Sequence, residues 1–214
     1  MLIKEINTKL NSFEIFTLFK DEYRPFFLDS GMDKEKLGQY SFIGFNPLLV
    51  FKSKDNEIEI EKDGEVTKYT GNPLDKLEEV YRKYKMDYKS ELPFIGGFVG
   101  YLSYDLCHHI ENLPRTAIQD VNIPDIHFGI YDGVIVIDHR GNEDKFYVAA
   151  LGIEQDEDEI VNNIINRIEQ NEKNGVEIIL PSVSTKKDFK SNFTRDDYIK
   201  AIEKVRDYIK SGDI

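Results

Sequence analysis

The sequence predicts an α+β fold, with antiparallel sheets in a two-layer arrangement and helices outside. Three observations carry that expectation. Short apolar segments bounded by turn residues fill the first 150 positions, two of the connections between them read as tight hairpin turns, and apolar spacing switches to three and four in only a few places. Consecutive hairpins imply antiparallel pairing and argue against a doubly wound nucleotide-binding sheet.

The expected strands are 25–28, 41–45, 48–52, 57–61, 65–69, 94–102, 126–131, 134–138 and 145–150. Residues 57–69 form the first hairpin candidate, alternating Ile58 and Ile60 against Val66, with Asp63-Gly64 at a turn where positive φ is cheap. The second joins Val134-Ile135-Val136-Ile137 to Phe146-Tyr147-Val148 through Arg140-Gly141-Asn142.

Three helices are expected. Asn72 caps the first, with Pro73 at its first position and a stripe of Leu74, Leu77, Val80, Tyr81 and Tyr84. The acidic run Asp156-Glu157-Asp158-Glu159 suits the positive end of the second, which carries Ile160, Val161, Ile164, Ile165 and Ile168 and stops at Gly175. The third starts at Thr194, with Asp197 placed for a capping-box-like arrangement, and is expected to bury Tyr198, Ile202, Val205 and Ile209. The polar, aperiodic stretch 181–191 reads as a linker between a domain at 1–180 and a helix at 192–214.

At 214 residues the chain can build an ordinary hydrophobic core. A formal charge of -12 argues against a polyanionic partner, since nucleic-acid sites need a basic footprint. The single cysteine, Cys107, leaves no internal disulfide and suits a reducing compartment. No run approaches the roughly 18 to 20 apolar residues of a membrane span, so a cytoplasmic protein is expected.

The segment Glu91-Leu-Pro-Phe-Ile-Gly-Gly-Phe-Val-Gly-Tyr-Leu-Ser-Tyr-Asp105 sets three glycines among large apolar residues. Glycines there mark a bend, a bulge or a closely packed neighbour. Gly96-Gly97-Phe98-Val99-Gly100 lacks the Gly-Lys-Ser/Thr ending of a phosphate cradle. Asp105, Cys107, His108 and His109 are ligand types for zinc, but no second Cys/His pair stands at finger-like spacing. His127 and His139, in or beside strands, read as polar face residues.

This glycine segment is followed by Ile110-Glu111-Asn112-Leu113-Pro114, Ile123-Pro124-Asp125 and Gly129-Ile130-Tyr131-Asp132. Together with Phe27-Leu28-Asp29-Ser30-Gly31, Tyr40-Ser41-Phe42-Ile43-Gly44 and Ser191-Asn192-Phe193-Thr194-Arg195, it resembles the amino-terminal region of the chorismate-utilising component I enzymes, anthranilate synthase and aminodeoxychorismate synthase. The resemblance implies the amino-terminal part of that fold. It also implies that 192–214 is the first helix of a chorismate-binding domain cut short, so that this chain is an inactive fragment without catalytic residues. The full-length enzyme would use magnesium to replace a ring hydroxyl of chorismate by ammonia, delivered by a glutamine amidotransferase subunit.

The same resemblance implies a tryptophan-pocket-like site at Asp29, Ser30, Tyr40, Ser41 and Phe42. Two departures stand out. Asp29 replaces the usual glutamate and Gln39 the usual arginine, which shortens one carboxylate and removes a charged donor fork. They argue against tight feedback inhibition, while Asp29-Ser30-Gly31 and the Leu92-Pro93-Phe94-Ile95-Gly96-Gly97 context resemble the aminodeoxychorismate branch, toward 4-aminobenzoate and folate, more than the anthranilate branch toward tryptophan. The alternatives are a freestanding tryptophan-binding or scaffold module, and a module that only docks the amidotransferase.

Overall fold

In the computed structural model, residues 1–30, 36–116, 118, 121–176 and 190–214 are described. They fall into two units, Met1–Ile178 and Ile179–Ile214. The expected linker lies outside the described residues up to 189.

The first unit holds two five-stranded sheets in which every pair is antiparallel. One sheet contains β1 (Leu2–Ile6), β2 (Phe26–Leu28), β3 (Tyr40–Gly44), β9 (Gly133–Asp138) and β10 (Lys145–Ala150), in the order β1-β10-β9-β3-β2. The other contains β4 (Leu49–Lys54), β5 (Glu57–Lys62), β6 (Glu65–Thr70), β7 (Gly97–Leu102) and β8 (Ile126–Tyr131), in the order β6-β5-β4-β8-β7. The α+β class with antiparallel sheets is therefore what the chain adopts.

Strand periodicity explains why Val134-Ile135-Val136-Ile137 of β9 is an unbroken apolar run. Ile135 and Ile137 face one core with β10 residues Phe146 and Val148, beneath α1 (Ser12–Phe19) and α3 (Glu157–Asn174). Val134 and Val136 face the opposite core with Ile95, Tyr131 and Leu151. A strand covered on both sides needs no polar alternation. A third core lies under α2 (Pro73–Tyr84), where Val80 and Tyr84 meet Phe51, Ile126 and Ile130.

Capping sets the helix ends. The Asn72 side chain accepts from Leu74 N at 2.9 Å, and Asp156 accepts from Glu159 N at 3.0 Å. Gly175 ends α3 with φ of 83°. Arg167 of α3 reaches α1, donating to the Leu18 carbonyl and to Glu22 while its guanidinium lies 4.7 Å from the centre of the Phe19 ring. It supplies cationic charge to the last turn of α1, which holds no basic residue before the C-cap Lys20.

Five features differ from the sequence expectation. First, β1 and α1 were not anticipated: β1 is a short edge strand recognisable only by its pairing with β10, and α1 has just 8 residues. Second, β7 begins at Gly97 rather than at 94, because Gly96 and Gly97 take φ of 142° and 128° and break the extended run. Third, in the first hairpin the register sets Tyr69 opposite Ile58 and Thr67 opposite Ile60, which leaves Val66 on the other face and 51% exposed. Fourth, Tyr81 of α2 is 49% exposed while its stripe-mates Val80 and Tyr84 are buried.

Fifth, α4 (Arg195–Ser211) has its Thr194 cap, which accepts from Asp197 N at 3.2 Å, but buries no residue. Tyr198, Ile202, Val205 and Ile209 are all exposed. An amphipathic stripe sheds water only where another element covers it.

Candidate functional site

Two motif aspartates turn out to hold backbone in place. Asp125 is buried, accepts from Lys54 Nζ at 2.8 Å and Asp55 N at 2.7 Å, and ties the β4–β5 turn to the start of β8. Burial pushes its carboxyl up, but the Lys54 ammonium and the Asp55 N–H outweigh that and hold it below the usual carboxylate range. Asp132 is likewise buried and accepts from Ile153 N at 3.0 and 3.1 Å. Tyr131 between the sheets donates to the Arg24 carbonyl at 2.9 Å, its phenol pushed up to about 12 chiefly by burial.

The glycine segment does bring backbone close. A Cβ on Gly100 would lie 1.9 Å from the His127 carbonyl oxygen, so β7 approaches β8 at a distance only glycine allows. Asp105, Cys107, His108 and His109 occupy a single 3-10 turn at Tyr104–His109. Among the described residues no three His, Cys, Asp or Glu side chains converge as a metal site.

The five pocket-like residues separate by the pleat of β3. Ser41 shares a face with Ile43, toward α1 and α3, while Tyr40 and Phe42 pack on the opposite core. On the first face Ser41 is fully buried. Its hydroxyl accepts the Ser30 N–H at 3.0 Å and lies 3.1 Å from Asp29 Oδ1 and 2.8 Å from His139 Nε2. The structure thus brings Asp29, Ser30 and Ser41 together and leaves Tyr40 and Phe42 behind the sheet.

His139 is the residue that sequence reasoning misplaced. It is 5% exposed rather than a polar face residue, because β9 sets it beside β3, where its N–H donates to the Gln39 carbonyl at 2.8 Å. His127, by contrast, is half-buried and meets the Tyr101 ring edge-on at 5.8 Å.

On the opposite face the Tyr40 and Phe42 rings stack at 6.2 Å, and Phe94 meets Phe42 edge-on at 5.6 Å. Arg140 lies 4.7 Å over the Tyr40 ring, held by Asp138 through bonds of 2.9 and 2.8 Å. Hydrogen bonding to Arg140 holds the Asp138 carboxyl below its ordinary range, whereas burial and then the Asp138 charge push the Tyr40 phenol up. Arg140 was visible in sequence only as a hairpin-turn residue.

The sequence pattern of the chorismate binding enzyme family matches residues 24–214. The chain belongs to that family. Among curated members, anthranilate synthase component 1 of Acetivibrio thermocellus is 31% identical over 94% of this chain and 43% of its own length. Aminodeoxychorismate synthase component 1 of Bacillus subtilis strain 168 is 28% identical over 86% of this chain and 39% of its own length. The crystal structure of anthranilate synthase component I from Streptococcus pneumoniae TIGR4 superimposes with a TM-score of 0.54 at 26% identity, covering 85% of this chain and 40% of that one. The chain therefore spans about two-fifths of the length of these family members. Among its described residues no helix is long and apolar enough to cross a membrane.

Proposed function

We propose that this chain forms the amino-terminal part of a component I synthase that aminates chorismate, on the branch to 4-amino-4-deoxychorismate and hence 4-aminobenzoate and folate. The observation that carries amination is the alignment of nearly the whole chain with proteins named as anthranilate and aminodeoxychorismate synthase component 1. In this reading ammonia from a glutamine amidotransferase subunit displaces a ring hydroxyl of chorismate, which leaves as water. Asp29-Ser30-Gly31 and the Leu92-Pro93-Phe94-Ile95-Gly96-Gly97 context favour the aminodeoxychorismate branch by resemblance. The anthranilate branch has its own support, since the Acetivibrio protein is 31% identical and the Bacillus aminodeoxychorismate enzyme 28%.

Magnesium belongs to this proposal as a Lewis acid for the whole enzyme. The described residues offer no converging donor set for it, so no residue of this chain is assigned to the ion and no step is derived through it.

The corner at Asp29 is proposed as an amino-acid site, tryptophan by resemblance. Asp29 is exposed and can meet an ammonium group, with Ser30 beside it and Ser41 bracing it from behind. A freestanding binding module remains the second reading of this corner, and it predicts tryptophan affinity without any turnover.

The experiment is a product assay on the uninterrupted reading frame containing this chain, with chorismate, ammonia and magnesium. The proposal expects an amino product that becomes 4-aminobenzoate only when a lyase is added. Fluorescent anthranilate would move the assignment to the other branch, and unconsumed chorismate would overturn both.

A further inference from the structure

A second cleft opens where the segment leading into β2 crosses the other sheet. It holds about 410 Å³, which suits a small ligand, and shares no residue with the Asp29 corner. The pleat of β4, β8 and β7 builds its base. Register sets Val50, Gly129 and Val99 side by side in one row and Lys52, His127 and Tyr101 in the next, all on the face turned away from α2.

Gly129 leaves the middle of the first row without a side chain, and the Tyr131 ring fills that place, within 2.7 Å of where a Cβ would stand. Phe26 meets this ring edge-on at 4.7 Å. The surface left open above them is apolar, formed by the half-buried Pro25, Phe26 and Val99 and by the exposed Tyr101.

The rim is cationic. Arg24 sits at a φ of 49°, a left-handed backbone that a non-glycine residue holds only when its surroundings fix it, and here Tyr131 Oη donates to its carbonyl at 2.9 Å. Its Nε donates to the Tyr23 hydroxyl at 3.3 Å, while Nη2 stands 4.0 Å from Glu61, too far for a hydrogen bond. None of its terminal N–H groups has an acceptor among the described residues. The His127 ring has no hydrogen-bond partner among them either, and neither does the Lys52 ammonium on the neighbouring strand. Burial, then the charges of Lys52 and Arg24, holds the His127 imidazole below its ordinary range, so both cations act at this spot.

In a chain with 40 acidic and 28 basic side chains, a cation has carboxylates to choose from. Lys54, Lys62, Lys68 and Arg140 each hold one at 2.6 to 2.8 Å. Arg24 and Lys52 do not.

We propose that this cleft binds a small aromatic carboxylate, its ring against Phe26, Val99 and Tyr101 and its carboxylate against Arg24, with His127 and Lys52 at the same rim. The guanidinium presents paired N–H groups that match two carboxylate oxygens, and the imidazole adds one further hydrogen bond. An inorganic anion would satisfy the cations and leave the apolar surface wet. A neutral arene would do the reverse. Binding here is independent of the amination reading, since it requires no turnover.

The test titrates benzoate into the product of the reading frame containing this chain and follows the ring C–H resonances of His127, assigned by their loss in His127→Gln. Saturable shifts are expected there. Arg24 is 40% exposed, so its replacement leaves the core untouched, and Arg24→Gln should weaken benzoate roughly tenfold, with Arg24→Lys in between. Lys68→Gln removes the same charge from β6, outside the cleft, and should leave the affinity unchanged. Inorganic phosphate and benzyl alcohol, at matched ionic strength, should each move His127 far less than benzoate. Benzoate that leaves His127 unmoved, or that binds Arg24→Gln as tightly as wild type, would overturn the site. Phosphate as effective as benzoate would overturn the aromatic part of the ligand, and benzyl alcohol as effective would overturn the carboxylate.

Discussion

Replacing Gly100 by alanine tests the close approach at the centre of the glycine segment. The added Cβ would lie 1.9 Å from the His127 carbonyl oxygen, 2.7 Å from Phe128 Cα and 2.8 Å from the His127 carbonyl carbon. All three atoms belong to backbone, so no side chain can swing aside. Reaching ordinary contact at 3.4 Å requires a movement of about 1.5 Å, the difference between 3.4 and 1.9 Å. The ladder between β7 and β8 joins six residue pairs, from Gly97↔Tyr131 to Leu102↔Ile126, and must part near its centre. Overpacking costs about 1–3 kcal/mol. One or two weakened ladder bonds add about 1 kcal/mol each.

Gly100→Ala should therefore lose about 2–5 kcal/mol. In urea, with a slope of about 2–3 kcal/mol/M, the midpoint should fall by roughly 1–2 M. Val66→Ala on the exposed strand β6 is the control, expected within about 0.5 kcal/mol of wild type. A Gly100→Ala midpoint equal to that control, with unchanged amide resonances along β8, would refute the close approach.

Other consequences are as direct. The Asp125 carboxyl is held below its unfolded value, so its contribution is complete above about pH 4 and is lost as pH falls through the lower folded value. Acid denaturation should show that loss, and Asp125→Asn should flatten it. Asp132→Ala takes the charged acceptor from the half-buried Ile153 N–H, and denaturation should register about 1–3 kcal/mol. Asn11→Ala removes one arm of the α1 capping box, at about 1 kcal/mol, seen as faster amide exchange in α1. With the α4 stripe exposed, the chain should self-associate in sedimentation, and Ile202→Glu should reduce this; a monomer at all concentrations would contradict it.

Where local chemistry decides structure, the sequence was readable. Asp63 and Gly64 take φ of 52° and 78°, as a tight hairpin turn requires, Asn72 and Thr194 cap the helices they were expected to start, and the acidic run from Asp156 opens α3 as expected. The run Val134-Ile135-Val136-Ile137 reads as a strand, yet only the packing shows that both its faces are covered. For α1 a usable signal did exist, since Asn11 and Glu14 complete a reciprocal capping box that precedes an apolar run.

The candidate site was legible as a motif and not as a geometry. Tyr40, Ser41 and Phe42 are adjacent in sequence, but a period of two sends the middle residue to one core and its neighbours to the other. That much could have been read from the strand itself. His139 could not, because its partner Ser41 lies 98 positions away and is brought beside it only by the pairing of β3 with β9. The burial of Asp125 and Asp132 likewise depends on tertiary contacts that no local pattern encodes.

Amination of chorismate is the central claim, and isotope tracing tests it most directly. The reading frame containing this chain is supplied with chorismate, magnesium and 15N-labelled ammonium, and the products are separated and weighed by mass spectrometry. The account predicts a product carrying one labelled nitrogen in place of a ring hydroxyl. Chorismate consumed into products without the label would contradict amination.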